Sequence, residues 1–336
     1  MLTIILVFAA ALLIAFAATP VARRVAPRLG VIDHPSARKV HAQPMPLLGG
    51  AAIVTASIAT LLIFQDRFEF QQLASIVLGG AWVSLLGAYD DRWGLRPILK
   101  LGGQIIAAVA LIVSGVKVQL APPAADWINA AITLIWVVGL TNSLNLLDNM
   151  DGLSSGVAAV CAAFFVVMAS FSGQIYVSAL AAALLGAALG FLVYNFNPAS
   201  IFMGDTGSLF LGFVLASIGI KLRFPDNVPF VTWMVPVLVM GMPIFDTTLV
   251  FISRLRRGKN PLTTPGKDHV SHRLRDRGFT TREAVMIHYL ASGVFGMCAL
   301  LVTQSNVVEG YIIGGAVAAA GVYGLWRFEF KPKAAG

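Results

Sequence analysis

AITLIWVVGLTNSLNLLDNMDGL, residues 131–153, joins a largely apolar run to a cluster of three asparagines and two aspartates. Charged residues make up only 12% of this 336-residue chain, whereas 57% of its residues are hydrophobic. Such a composition is unlike that of a soluble protein and predicts a polytopic membrane protein. So many oxygen-bearing side chains at the end of an apolar run therefore need an explanation of their own.

The apolar runs set the number of membrane crossings. A bilayer core is about 30 Å thick and requires roughly 20 apolar residues per helix. The sequence therefore predicts an all-α bundle of about eleven transmembrane helices, or ten if one short span is discounted. The predicted spans cover residues 2–22, 47–64, 73–89, 98–115, 125–141, 154–172, 175–194, 207–222, 230–253, 283–303 and 310–328.

The positions of Lys and Arg predict the orientation. Arg23 and Arg24 follow the first span, which favours a retained helix over a signal peptide and places the N-terminus outside and the C-terminus in the cytoplasm. With alternating loops, 20 of the 24 Lys and Arg residues are cytoplasmic, which explains the net charge of +8 without a nucleic-acid partner. We expect one integral-membrane domain, residues 1–336, with cytoplasmic catalytic loops 23–46, 90–97, 142–153, 195–206 and 254–282.

Four polar clusters share the predicted cytoplasmic face. They are AYDDRWGL (88–95), NSLNLLDNMDGL (142–153), NFNPASIFMGDTGSL (195–209) and GKDHVSHRLRDRG (266–278). A single cluster of this kind is equally well explained as a solvated loop. Four clusters on one side favour a functional site, because ionisable groups at the membrane usually mark function.

The second cluster cannot direct all its polar groups inward from one helix. At 100° per residue, Asn142, Asn145 and Asn149 lie within about 60° of one another, whereas Asp151 faces the opposite way. A turn at Gly152 would bring Asp151 back toward the asparagines. The structural alternative, a helix cap, accounts for one of these residues and not for all of them.

The acidic residues of the first and third clusters indicate a metal and a diphosphate. Asp90 and Asp91 are adjacent, so their carboxylates diverge and repel unless a cation neutralises them. Oxygen ligands of this kind suit Mg²⁺ or Mn²⁺ rather than zinc. In MGDTGS, Gly204 and Gly207 allow close backbone approach, and Asp205 precedes a predicted helix whose N-terminus favours anions.

Basic residues supply candidate phosphate ligands. Arg273 can hold a phosphate with two parallel hydrogen bonds, and His269 and His272 can donate to a phosphate or a sugar. Most other cations of that loop are expected to be topology anchors. Lys100 lies about two turns beyond the DDRWGL segment, where it could reach a diphosphate or extend to the membrane surface; we favour the former.

Together these motifs resemble a known family. DDRWGL, NSLNLLDNMDGL, NPASIFMGDTGSL, PIFD (243–246) and DHVSHRL (268–274) are similar, in order and in predicted membrane face, to the polyprenyl-phosphate N-acetylhexosamine-1-phosphate transferases. The resemblance covers residues 20–280 and is greatest for the WecA/TagO branch, which uses UDP-GlcNAc. The last loop departs from the run of consecutive histidines in the lipid I branch, and also from the commonest patterns of the UDP-GlcNAc branch.

The resemblance implies a Mg²⁺- or Mn²⁺-dependent phosphoglycosyltransferase of cell-envelope glycan synthesis. It would transfer GlcNAc-1-phosphate from UDP-GlcNAc to undecaprenyl phosphate and release UMP, at the cytoplasmic face of the plasma (inner) membrane; a homodimer is compatible with it. Phe202 would stack on uracil, with a lipid or core contact as the alternative. The implied residues are Asp90, Asp91 and Asp148 for catalysis, Asp205 and Asn145 for the metal, and Lys100, Asn142, Asn149, Asp151, Phe202, Gly204, His269, His272 and Arg273 for substrates.

Other functions remain open from the sequence. The same reaction with UDP-MurNAc-pentapeptide or UDP-GalNAc is the nearest alternative. A secondary transporter would also place carboxylates and broken helices in the membrane, but transporters usually show a repeat and polar groups near the midplane. A lipid-binding scaffold would not need paired metal ligands.

Overall fold

The computed structural model describes residues 1–35, 43–64, 70–261, 264 and 266–330, with side chains described from Leu73 onward in the third helix. Parts of three predicted segments lie outside these residues, namely 36–42 of the loop 23–46, positions 262, 263 and 265 of the loop 254–282, and the tail 331–336. The helices are α1 Leu2–Leu29, α2 Gly49–Ile63, α3 Phe70–Trp93, α4 Pro97–Val113, α5 Asp126–Leu147, α6 Leu153–Phe171, α7 Ile175–Asn195, α8 Gly204–Lys221, α9 Pro229–Thr232, α10 Met234–Val239, α11 Gly241–Arg256, α12 Val270–Arg275, α13 Thr281–Gln304 and α14 Val307–Glu329.

The architecture is that of an all-helical, polytopic membrane protein. In the described part of the chain, seven helices are long and apolar enough to cross a membrane. An eighth span is obtained if α9 to α11, which bend by 71° after Val239, are taken together. Helices α2 and α4 are apolar but shorter. Each predicted span overlaps a helix, while the total of eleven crossings stays a prediction.

A minor β-pairing departs from the all-α prediction. Two-residue strands β1, Ile32–Asp33, and β2, Met45–Pro46, are antiparallel, with Ile32 opposite Pro46. The backbone N–H of Phe202 donates to Pro46 O at 2.9 Å, so this pairing also anchors the segment that precedes α8.

Helix α8 is the centre of the bundle and is buried along almost its whole length. Glycines allow its neighbours to come close, as is common between membrane helices. A Cβ on Gly50 of α2 would collide with the backbone at Gly207, and one on Gly87 of α3 would collide with the backbone at Asp205. These two contacts fix the position of Asp205 along the axes of α2 and α3.

Helix ends gather the polar clusters at one end of the bundle. The N–H of Gly49, at the start of α2, donates to Phe202 O at 2.9 Å, and the N–H of Gly152, before α6, donates to Asn195 Oδ1 at 3.0 Å. The carboxyl ends of α3, α5 and α7 therefore meet the amino ends of α2, α4, α6 and α8. The structure thus brings the polar clusters to one end of the bundle, while their position at the cytoplasmic face stays a prediction.

Three helix boundaries differ from the predicted spans because polar residues continue the helices beyond their apolar parts. Helix α3 runs to Trp93, so Asp90 and Asp91 lie in its last turn rather than in the predicted loop 90–97. Helix α5 runs to Leu147, so the segment 142–153 begins as helix. Helix α8 begins at Gly204, so Asp205 lies within its first turn and not before it.

Candidate active site

The paired aspartates at the end of α3 diverge, as their adjacency predicts. Asp90 accepts a hydrogen bond from the backbone N–H of Leu95 at 2.6 Å, and its other oxygen lies 3.0 Å from Lys100 Nζ. Asp91 faces α8 instead. The two neighbouring carboxylates therefore contact different parts of the protein.

Asp91 binds the amino end of α8. Its Oδ1 accepts from the N–H of Asp205 at 2.8 Å, and its Oδ2 accepts from the N–H and the hydroxyl of Thr206 at 3.0 and 2.7 Å. Gly204 has φ +73°, and a Cβ there would collide with the Asp91 carboxylate. The anion-binding position predicted at this helix start is thus taken by Asp91, which satisfies N–H groups that have no partner within the helix.

Lys100 lies at the centre of the acidic cluster. Its ammonium contacts Asp90, the amide oxygen of Asn145 at 3.2 Å, and Asp205. Asn145 in turn donates to Asp205 Oδ1 at 2.7 Å and to Ser208 Oγ at 2.9 Å. Side chains from α3, α4, α5 and α8 therefore converge on one ammonium group.

Asp148 follows α5 and adds another carboxyl group to this cluster. Burial raises the pKa of the Asp148 carboxyl well above its usual range, and repulsion from Asp205, Asp91 and Asp151 raises it further. The site is therefore crowded with carboxylates that a bound cation would relieve.

Asp151 faces a neighbouring loop. Its Oδ2 accepts from Asn197 Nδ2 at 2.9 Å and from the N–H of Ala199 at 3.0 Å. The turn at Gly152, with φ +77°, makes this possible, as the sequence predicts. In this structure Asp151 fastens the turn after α5 to the turn after α7; its predicted role in substrate binding stays a prediction.

The other two asparagines of the motif also have partners in the protein. Asn142 exchanges hydrogen bonds with the buried Gln104 of α4, which joins α4 to α5. Asn149 accepts from Ser271 Oγ at 2.6 Å, which brings α12 to the turn after α5. The asparagines predicted to share one face are thus distributed among three sets of contacts.

A buried hydrogen-bonded pair joins the basic loop to α11. Asp246 of α11 lies 2.7 Å from His269 Nδ1 through Oδ2, and its Oδ1 accepts from the N–H of Val270 at 2.7 Å. His272 lies beside His269, with the ring centroids 6.1 Å apart. Burial lowers the pKa of His272 to about 4, with the neighbouring charges of His269 and Lys267 adding to the effect, so His272 is neutral near pH 7.

Arg273 makes contacts within the protein through all three guanidinium nitrogens. It donates to Asp268 O at 2.9 Å, Phe328 O at 2.7 Å, Ser253 Oγ at 2.9 Å and Glu329 Oε2 at 2.6 Å. This geometry favours a role in holding α12 against α11 and α14, while direct phosphate binding stays a prediction. Phe202 is partly buried, and its stacking on uracil likewise stays a prediction.

Three side chains that sequence reasoning missed support this site. Ser208 lies one turn after Asp205 and orients Asn145; Asn195 is buried and accepts from Gly152 and Ser155. Gln104 pairs with Asn142. Gln104 and Ser208 are polar residues inside predicted apolar spans, and Asn195 directly follows one, which is the signal that could have identified them.

The donor set suits a hard cation. Carboxylate and amide oxygens of Asp90, Asn145 and Asp205 surround the ammonium of Lys100, and such oxygens are the ligands that Mg²⁺ prefers. No group of three His, Cys, Asp or Glu side chains within the described ranges has the geometry of a metal site. The amide of Asn145 is therefore a candidate ligand beside the carboxylates of Asp90 and Asp205.

The fold and site define a polytopic membrane protein with an oxygen-rich cluster at one end of its bundle. Residues 73–223 match the model of the family described as Glycosyl transferase family 4. A probable undecaprenyl-phosphate N-acetylglucosaminyl 1-phosphate transferase of Bacillus subtilis is 33% identical, covering 99% of this chain and 95% of that protein. The chain belongs to glycosyl transferase family 4.

More distant relatives agree with this assignment. A decaprenyl-phosphate N-acetylglucosaminephosphotransferase of Mycolicibacterium smegmatis is 31% identical, with 86% of this chain and 79% of that protein covered. An undecaprenyl-phosphate alpha-N-acetylglucosaminyl 1-phosphate transferase of Escherichia coli is 26% identical, with 87% and 82% covered. The similarity thus extends over most of the chain on both sides of residues 73–223.

Proposed function

We propose that this protein transfers GlcNAc-1-phosphate from UDP-GlcNAc to a membrane polyprenyl phosphate, with undecaprenyl phosphate as the acceptor, and releases UMP. An oxygen of the lipid phosphate forms a bond to the phosphorus that carries the sugar, and the bond from that phosphorus to the oxygen of UMP breaks. The observation that carries the proposal is the convergence of Asp90, Asn145 and Asp205 on Lys100, in a chain whose relatives have names that state this reaction.

We further propose that Asp205 and Asn145 hold Mg²⁺, for which Mn²⁺ is the alternative. The fit rests on the oxygen donors around Lys100 and on the carboxylates beside Asp148, which add to the effect of burial in raising the pKa of its carboxyl. When bound, the ion would neutralise charge on the phosphates, which is the main requirement of phosphoryl transfer.

The remaining roles follow from chemistry and geometry. Lys100 is placed to bind a phosphate of the donor, and Asp90 to orient the lipid phosphate beside it. A phosphomonoester with a second pKa of about 6 is mostly a dianion near neutrality, so positioning matters more than proton removal. Asp148 retains a proton more readily than an ordinary carboxyl and can donate a hydrogen bond to the nucleotide.

We also propose eleven membrane crossings, with the N-terminus outside, the C-terminus inside and the site at the cytoplasmic face of the plasma membrane. The distribution of Lys and Arg supports this orientation. The end of α14 supports an odd number of crossings, because Glu329 contacts Arg273 near the site whereas α1 begins at the other end. A C-terminal reporter active only on the outer face would contradict the proposed orientation.

The proposed reaction is tested with purified protein, Mg²⁺ and undecaprenyl phosphate, by following exchange of radiolabelled UMP into UDP-GlcNAc. We expect exchange that depends on the lipid phosphate. Parallel reactions with UDP-GalNAc and UDP-MurNAc-pentapeptide determine the sugar. Asp126→Asn is the matched control, because Asp126 pairs with Lys117 at the opposite end of α5. Absence of exchange with every sugar nucleotide would reject the proposed reaction. It is also the result expected if the protein is a transporter.

A further inference from the structure

The buried pair of Asp246 and His269 has no role in the chemistry described above, yet it links α11 to the start of α12. Asp246 is 1% exposed and His269 is 4% exposed. A buried carboxylate is costly unless its oxygens accept hydrogen bonds. Both oxygens do so here, one from the backbone N–H of Val270 at 2.7 Å and one from His269 Nδ1 at 2.7 Å.

These contacts determine where His269 carries its proton. A carboxylate accepts and cannot donate, so the hydrogen of the imidazole must lie on Nδ1, toward α11. Among the described residues, the hydrogen bond of the His269 ring is the one made by Nδ1, and no partner of Nε2 is found. The other face of the ring is therefore left for an external ligand.

The position of α12 brings this ring to the active-site end of the bundle. Ser271, two residues after His269, donates to Asn149 Oδ1 at 2.6 Å. Asn149 follows Asp148 directly in the turn after α5. The loop that carries His269 is thus attached to the turn that carries the carboxylates.

We infer that Asp246 is a positioning residue, which holds His269 with Nδ1–H toward α11 and presents Nε2 to the phosphates or sugar of the donor. This role rests on the proposed function, since it assumes that a sugar nucleotide binds beside α12. Partners that orient a functional histidine typically change activity 10- to 100-fold when they are removed.

Asp246→Asn gives a specific test because asparagine has nearly the same shape as aspartate. Its side chain, however, has one acceptor oxygen where the carboxylate has two. The N–H of Val270 can only donate, so the amide oxygen of the new side chain would face Val270 and its NH₂ group would face His269. An NH₂ group there requires an unprotonated Nδ1, which moves the proton of His269 to Nε2. The substitution therefore exchanges the tautomer without removing the ring.

The measurement is the ¹⁵N NMR spectrum of the imidazole nitrogens in full-length protein labelled at histidine, with His269 assigned from the spectrum of His269→Gln. In wild-type protein we expect Nδ1–H at His269, and in Asp246→Asn we expect Nε2–H. His288 is an internal reference, because its Nδ1 donates to Ala284 O at 2.7 Å in α13 and should not change. An unchanged tautomer of His269 in Asp246→Asn would overturn the inference.

Activity separates positioning from a general loss of structure. We expect Asp246→Asn to reduce kcat/KM for UDP-GlcNAc 10- to 100-fold, and to have much less effect when His269 is already Gln. An equal loss in both backgrounds would assign Asp246 a purely structural role. If wild-type protein transfers no sugar phosphate at all, the proposed function fails while the NMR result still decides whether Asp246 sets the tautomer.

Discussion

Asp148 and Asp268 are carboxylates at the same end of the bundle whose pKa values shift in opposite directions. Burial raises the pKa of Asp148, and neighbouring carboxylates raise it further. Burial would also raise the pKa of Asp268, but hydrogen bonds from Arg257 and Arg254 hold it below its usual range. The direction of each pKa shift therefore depends on the charges that surround that carboxyl group.

In the described part of the chain, the acidic cluster has more carboxyl groups than cations, whereas several cations of the basic loop are paired with carboxylates. Among the described residues, Asp90 and Asp205 contact the ammonium of Lys100, and Asp91 and Asp148 lie close to Asp205. In the loop the ion pairs are Arg254 and Arg257 with Asp268, Arg256 and Arg273 with Glu329, and His269 with Asp246. Buried like charges are unfavourable, so the acidic cluster is the expected ligand-binding centre, and the paired arginines favour a scaffold role for the part of the loop that they hold.

The largest effect should come from removing charge at the centre of the acidic cluster. We expect Asp205→Asn to reduce transfer by about 1000-fold or more, because a neutral amide replaces a charged oxygen ligand. Its thermal stability should remain close to that of wild type, since the substitution also relieves repulsion. Transfer rates and Tm are measured over a range of Mg²⁺ concentrations. Turnover near the wild-type rate at ordinary Mg²⁺ would show that Asp205 is not the key ligand.

A smaller effect on activity, but a larger one on stability, is expected for Asp91→Asn. The new NH₂ group would face donors of Thr206, so the amino end of α8 loses its cap, at a cost of about 1–2 kcal/mol. Displacement of Asp205 should reduce transfer by about 100-fold. Thr206→Val removes only the hydroxyl contact and is the milder control. If Asp91→Asn lost activity at an unchanged Tm, Asp91 would belong with the directly acting carboxylates.

Arg273→Lys tests whether the basic loop is a scaffold that needs the shape of arginine. A lysine retains the charge but cannot keep the contacts with Ser253, Phe328 and Glu329 together. Losing one or two hydrogen bonds of about 1 kcal/mol each should lower the free energy of unfolding by about 1–2 kcal/mol, and the displacement of α12 should lower kcat/KM for UDP-GlcNAc roughly 10-fold. Arg275→Lys, in the same helix but exposed, should be silent. If Arg273→Lys had wild-type kinetics, the positive charge of the loop and not the shape of arginine would be what matters, as expected for an anchor at the membrane surface.

The smallest effect concerns the pH dependence of stability at His272. Its pKa is about 4 in the folded protein and about 6.5 in an unfolded chain. Between these values the unfolded state binds a proton that the folded state does not, so stability falls as the pH decreases from 6.5 toward 4. In His272→Gln this loss is absent, and the decrease in Tm from pH 7.5 to pH 5 should be smaller by roughly 2–4 °C. Equal decreases in both proteins would contradict the burial of a neutral His272.

Much of the site was predictable because its residues are polar exceptions in an apolar chain. Asp90, Asn145, Asp205 and Lys100 were all identified from the sequence, and the structure brings them together. The departures came from partners that local patterns do not contain. Asn142 meets Gln104 across two helices, for example, and no feature near Asn142 specifies that pairing.

Hydrophobic length and residue chemistry are local properties, so the amino-acid sequence was sufficient to predict the membrane class, the approximate helices, the grouping of polar clusters and the family resemblance. The three-dimensional packing was needed to show that Asp91 caps α8 while the adjacent Asp90 meets Lys100, and that Arg273 is held by α14. The partner of Asp91 lies 114 residues further along the chain. Which side chain faces which is set by helix packing, through glycine contacts such as Gly50 with Gly207, and such packing leaves no local pattern.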